Sequence, residues 1–326
     1  MKNHGTMLLL GASLWLAGTA ARAADAPYHF IKDIPVGGKA QWDYLKVDSE
    51  AHRLYLSHGT KVEVIDLEKG AVVGAVEETP GVHGIALAPK LGRGFISNGG
   101  EAKATIFDLQ TLKTIMKVPT GANPDSILYE PVQSEVYTFN GKGKSSTVFD
   151  PQSGKVITTI DVGGKPEFSG TDAQAGRVYV NLEDKSEVVA IDFKTHKVTN
   201  HWPIAPGESP SGMAVDAEHH RLFLGCDNHK MVMMDGLSGK VLGSVPIGAG
   251  VDANAFDPGT LLAFSSNGED GNTTIAKEAA PDRLAVVQTL KTVVGARTMA
   301  LDPSTHFIYL PAPTPAFRVL VYGPEK

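Results

Sequence analysis

Arg177-Val-Tyr-Val-Asn181 and the run Val188-Val-Ala-Ile-Asp192 that follows it are two short β-branched segments, the second ending in aspartate. Their length and composition argue strands rather than helix turns. The same pair recurs along the chain. The closing aspartates are Asp66, Asp108, Asp150, Asp192 and Asp235, spaced 42, 42, 42 and 43 residues apart. Their upstream partners are Arg53-Leu-Tyr-Leu-Ser57, Arg93-Gly-Phe-Ile-Ser97, Glu135-Val-Tyr-Thr-Phe139 and Arg221-Leu-Phe-Leu-Gly225. A third run precedes each pair, as in Gly84-Ile-Ala-Leu-Ala88 and Gly212-Met-Ala-Val-Asp216. A fourth closes each unit, as in Lys155-Val-Ile-Thr-Thr-Ile-Asp-Val-Gly163. Four short strands per ~40–45 residues mark the blades of a β-propeller.

Two less regular units complete the series. One holds Leu261-Leu-Ala-Phe-Ser265, with Thr274 and Ile275 standing in for the usual third strand; the other holds Phe307-Ile-Tyr-Leu310 and Arg318-Val-Leu-Val-Tyr322. The last unit stops after its third strand, while Phe30-Ile-Lys-Asp-Ile-Pro-Val-Gly37 reads as a fourth strand with no unit before it. Joining the two closes a ring of seven blades and removes a bare sheet edge. The expected fold is all-β, a seven-bladed propeller of four-stranded blades closed by the N-terminal strand.

Arg177-Val-Tyr-Val-Asn181 with Val189-Ala-Ile-Asp192 resembles the repeat of the YVTN-type propellers, and the whole of residues 24–326 is similar to the YncE-like exported proteins among them. The resemblance implies the propeller fold and a polar channel mouth; it names no ligand.

The N-terminus reads as a secretory signal. Lys2 and His4 precede an apolar run from Met7 to about Gly18, and Ala21-Arg22-Ala23 offers a small-x-small cleavage site. Cleavage there leaves one domain, residues 24–326, expected in the periplasm or secreted. The apolar run is shorter than the roughly 20 residues a spanning helix needs, and no membrane span is expected after cleavage. Formal charge is −6 with no basic block, so counterion-release binding to nucleic acid has no footprint. Cys226 is the only cysteine, so no disulfide forms within the chain, and a small buried thiol is its expected role.

The repeat aspartates are expected to cap turns such as Asp150-Pro-Gln-Ser-Gly154. Arg53, Arg93, Arg177 and Arg221 are expected to cover blade edges, and His52, His219, His220 and His306 fall in turns on the opposite face. Chemistry is expected where equivalent loops carry unlike polar residues. The loops leading into the first strands offer Trp42, Asp43, His83, Asp125, Glu167, Asp252, Asn254, Arg297 and Thr298. The loops after the second strands add Ser57-His58, Ser97-Asn98, Asn140, Asn181 and Ser266-Asn267. The ligand-binding set expected at the mouth is Trp42, Asp43, His58, His83, Asp125, Glu167, Asp252, Asn254 and Arg297. A ring of carboxylates is costly to enclose unless water, a cation or a charged ligand compensates. Trp42 is suited either to packing or to stacking on a ligand.

Three functions are compatible with this pattern. The first is a binding protein holding a small molecule or metal ion in the mouth. The second is a metal-assisted lactonase- or lyase-like enzyme, with Glu167, Asp252, His58 and His83 as candidate ligands and Asn254 beside them. The third is a platform for a periplasmic protein partner. A divalent cation is the one cofactor the residues suggest. No nucleophile elbow, His-Glu-x-x-His, phosphate loop or haem-attachment motif occurs, so no catalytic residue is assigned. A monomer is expected.

Overall fold

The computed structural model describes residue 1, residues 28–280 and residues 282–325. The predicted signal sequence lies outside the described residues. Seven antiparallel sheets of four strands each make the blades. Their innermost strands, from blade 1 to blade 7, are Leu45–Asp48, Val82–Ala88, Pro124–Glu130, Pro166–Asp172, Pro210–Asp216, Val251–Asp257 and Ala300–Asp302. Two single 3-10 turns, Pro89–Leu91 and Glu183–Lys185, are the only helical elements among the described residues. None of these residues forms a helix long and apolar enough to cross a membrane.

The ring closes as the sequence predicts. Tyr28–Pro35 pairs antiparallel with Arg318–Pro324, from Tyr28 opposite Pro324 to Pro35 opposite Arg318. Two buried side chains lock this strand in place. Tyr28 packs with Phe264 and Ile275 of blade 6 and with Leu310 and Tyr322 of blade 7, and its hydroxyl donates to the His306 carbonyl at 2.7 Å. Ile34 packs in the seam between blades 7 and 1, against Leu54, Leu56, Val319 and Val321.

The other seams repeat this logic. Tyr137, Phe139 and Val148 of blade 3 meet Val178, Val180 and Ile191 of blade 4, all buried. A fully buried aliphatic or aromatic side chain contributes about 1.5–3 kcal/mol relative to exposure, so stability is spread evenly round the ring.

The repeat aspartates cap turns: Asp66, Asp108, Asp150, Asp192 and Asp235 each accept backbone N–H groups two and three residues on. The repeat arginines do more than cover edges. Arg53 donates to the Leu109 carbonyl of blade 2, and Arg177 donates to Gly236 and Leu237 of blade 5, so each staples its blade to the next. In blade 6 the third strand is not reduced: Asn272–Ala280 and Arg283–Lys291 run nine residues each, the longest strands among the described residues. Its sequence departs from the repeat because Ala276 and Lys277 replace the usual closing Ile-Asp.

Candidate functional site at the channel mouth

Five of the seven inner strands slip register near their second residue. The shifts fall between Val82 and Ile85, Pro124 and Ile127, Pro166 and Ser169, Pro210 and Gly212, and Val251 and Ala253. A bulge there takes the second side chain off the ladder and re-aims it. The seven equivalent residues are Asp43, His83, Asp125, Glu167, Ser211, Asp252 and Arg297. Neighbours in blade order make contact in four places, His83 with Asp43 and Asp125 and Asp252 with Ser211 and Arg297, as members of a ring around the axis do.

The ring divides into two arcs. In the first, His83 Nδ1 lies 2.6 Å from Asp43 Oδ2 and 3.8 Å from Asp125 Oδ1. Ligand atoms of these three residues all fall within 4.8 Å of one another. Glu167 continues the arc and is paired with Lys165 at 3.2 Å; Lys165 also pairs with Glu183. In the second arc, Ser211 Oγ reaches Asp252 at 3.3 Å, and Arg297 Nε donates to Asp252 Oδ2 at 2.7 Å. Arg297 also donates to the Trp42 carbonyl and lies over the Trp42 ring, 5.2 Å from its centroid.

The scaffold beneath is built from serines. Ser57 Oγ accepts from the Asp43 N–H at 2.7 Å, Ser97 Oγ donates to the Asp125 carbonyl, and Ser266 Oγ donates to the Arg297 carbonyl. These serines are fully buried near the ends of the second strands, so they fix the backbone of the ring rather than supplying groups to its lumen. Asn98 and Asn140 bond side chains of their own blades, notably Thr105 and Thr147, while Asn181 bonds carbonyls of blade 5.

The floor of the mouth is aromatic. Tyr44 of blade 1 meets Phe168 of blade 4 edge to face, with ring centroids 5.0 Å apart. Blades 1 and 4 stand across the ring from each other, so this contact bridges the axis and closes it. Burial pushes the Tyr44 hydroxyl well above the usual tyrosine range, and Asp252 and Asp43 add to the shift.

Three expected mouth residues lie elsewhere or act differently. His58 is held off the ring: Nδ1 contacts Glu63 at 3.1 Å, Nε2 contacts the Lys39 carbonyl at 2.7 Å, and Phe317 packs on its ring. Asn254 sits two residues below Asp252, buried against Gly212 and Gly225 of blade 5 and lining the channel beneath the floor. Trp42 packs, stacking on Phe317 at 5.3 Å. Of the four residues expected as metal ligands, His83 joins Asp43 and Asp125; Asp252 is engaged by Arg297 and Glu167 by Lys165. Sequence reasoning passed over Tyr44, Phe168 and Lys165. The aromatic pair carries no one-dimensional signal, because it exists only once the ring has closed. Cys226 is fully buried, and burial pushes its thiol up to about 12.

The ring crowds negative charge. Burial raises the Asp125 carboxyl well above the usual range, and Asp43 and Glu167 add to this against the opposing pull of His83. Burial likewise lifts Glu167 to about 7 against the pull of Lys165, and lifts Asp252 against Arg297. For His83, burial disfavours the proton, but the hydrogen bond to Asp43 and the Asp125 charge outweigh it, raising the imidazolium to about 9. These shifts share one sign. A carboxyl or imidazole with a raised folded-state pKa binds more protons folded than unfolded, so stability falls as pH rises through the interval between the two values. For Glu167 that interval runs from the ordinary glutamate value to about 7, and for His83 from the ordinary histidine value to about 9. The metal-free protein should therefore melt lower at pH 8.5 than at pH 5.5. Differential scanning calorimetry in chelator checks this, and a melting temperature that rises over that range would contradict it.

No protein-family model matches the chain, and no curated protein matches it in sequence. Among solved structures, a chain of Kuenenia stuttgartiensis hydrazine synthase is similar, with a TM-score of 0.74 over 85% of this chain and 94% of that one, at 14% identity. A likeness at that identity speaks to architecture alone, and it agrees with the sheet order: the chain is a seven-bladed β-propeller.

Proposed function

We propose that this chain is an exported binding protein of the YncE-like type that holds a divalent transition-metal ion at Asp43, His83 and Asp125 in the channel mouth. One observation carries the reading. Asp125 Oδ1 is buried and makes no hydrogen bond among the described residues, although two further donor groups stand beside it. An enclosed, unsatisfied carboxylate oxygen is costly, and a cation at this point removes the cost for the whole arc. Two carboxylates and an imidazole form a mixed donor set that suits zinc or its neighbours better than calcium. The repeat residues support the family assignment, and the leader in the sequence supports export.

His83 has to give up its Nδ1 proton for a metal, so binding releases one proton and tightens as pH rises toward about 9. Asp216, His219 and Glu278 form a second close group of donors. It fits a metal less well, because Asp216 already accepts two backbone N–H groups and Glu278 faces Arg221 at 3.6 Å.

A thermal-shift series with Zn²⁺, Mn²⁺ and Ca²⁺ tests the proposal. Ligand at 100 times Kd stabilises by about 2.7 kcal/mol, a rise of about 5 °C for a domain of this size. Zinc should give the largest rise, growing from pH 6 to pH 8. No rise with any of the three ions would overturn the reading.

A further inference from the structure

Below the Tyr44–Phe168 floor the channel opens into a second compartment of about 540 Å³, reaching Ser49, Pro258 and Pro303 on the opposite face. Its chemistry is the reverse of the mouth's. Ile85, Ile127, Leu128, Phe256 and Met299 make its walls largely apolar. At the strand position held by Lys46 in blade 1, blade 3 carries Leu128 and the other five carry Ala86, Gly170, Ala214, Ala255 and Ala300, small residues that leave a lumen beside the lysine.

Lys46 is exposed to this lumen inside the ring of inner strands, and that enclosure holds its ammonium below the usual lysine range. It makes no hydrogen bond or ion pair among the described residues. The acids nearer the opening are already engaged. Asp48 accepts the Ala51 N–H, and Asp302 accepts the Ser49 and Ser304 hydroxyls. A second polar group is also unsatisfied. Asn254 lines the same compartment at 6% exposure, and neither its Oδ1 nor its Nδ2 has a partner among the described residues. Its place is made for it: a Cβ at Gly225 or Gly212 would fall 2.2 or 2.4 Å from Asn254 Oδ1.

We infer that this lower compartment is a binding site for an anionic amphiphile, a carboxylate with an apolar body. The head group meets Lys46 beneath the floor, and the apolar body runs past Leu87, Tyr129 and Phe256 toward the opening. The volume lies within the range of small-molecule sites, and apolar walls with a few convergent polar groups are their usual makeup. A lone lysine in such walls selects for negative charge, since a neutral ligand leaves the ammonium unpaired.

Titration calorimetry with decanoate, decanol and decyltrimethylammonium, using the full chain, tests this. The expected result is one decanoate per chain, weaker binding of decanol and none of the cation. Lys46→Met should weaken decanoate roughly 10- to 100-fold, and Ala300→Phe, which fills the lumen, should abolish binding; melting curves confirm that each variant is folded. Asp125→Asn should leave decanoate binding intact, so this site stands or falls separately from the metal in the mouth. No saturable binding of decanoate by the native chain would overturn the inference, as would equal affinity in Lys46→Met or equal affinity for decanol.

Discussion

A variant beginning at Val36, without the strand Tyr28–Pro35, should lose the cooperative thermal transition of the full chain. That strand is the fourth of blade 7, and its removal bares Arg318–Pro324 along its whole length. It also strips two seams at once: Tyr28 leaves the packing between blades 6 and 7, and Ile34 leaves that between blades 7 and 1. Removing a buried aromatic costs about 3–5 kcal/mol and a buried isoleucine about 2–5 kcal/mol. Together with the lost ladder this rivals the 5–15 kcal/mol by which a whole domain is stable. Ile34→Ala is the graded form of the experiment and should lower stability by about 2–5 kcal/mol in urea. A truncated chain that melts at the temperature of the full one would show that the ring does not depend on this closure.

Asp125→Asn should weaken metal binding at least about 100-fold while making the metal-free protein more stable. Groups that merely orient metal ligands are worth 10- to 100-fold in affinity, and Asp125 is placed as a direct donor. The stability gain follows from the sign of its shift. Its carboxyl is shifted well above the usual range, so ionising it in the fold works against burial and two neighbouring acids. An isosteric amide removes that charge. Asp252→Asn is the informative contrast: Asp252 belongs to the Arg297 arc, so its loss should change metal affinity less than tenfold. Calorimetric titration of zinc with parallel melting curves checks both. Equal affinity in the native and Asp125→Asn proteins would remove Asp125 from the site.

The ring was legible because its members hold one position in a regular repeat, so Asp43, His83, Asp125, Glu167, Asp252 and Arg297 could be aligned by counting. The closure by the N-terminal strand was legible from the unmatched ends. What could not be read depends on three-dimensional facts that counting does not carry. Asn254 is near Asp252 in sequence, but it lies below the bulge, where strand geometry turns it into the wall rather than the mouth. His58 ends a second strand, beside the mouth in sequence terms, yet Glu63, Lys39 and Phe317 claim its ring. Ser57, Ser97 and Ser266 look like lumen groups in sequence because burial is invisible there. Tyr44 and Phe168 are 124 residues apart and meet only across a closed ring. That contact separates an acidic mouth from a lysine-bearing chamber, a division with no trace in the repeat pattern.

Anomalous diffraction from zinc-soaked crystals decides whether Asp43, His83 and Asp125 hold a metal. The expected map has one strong zinc peak bonded to His83 Nδ1 and to a carboxylate oxygen of each aspartate, at about 2.0–2.2 Å. A mouth without a peak, or zinc bound only at Asp216, His219 and Glu278, would contradict it.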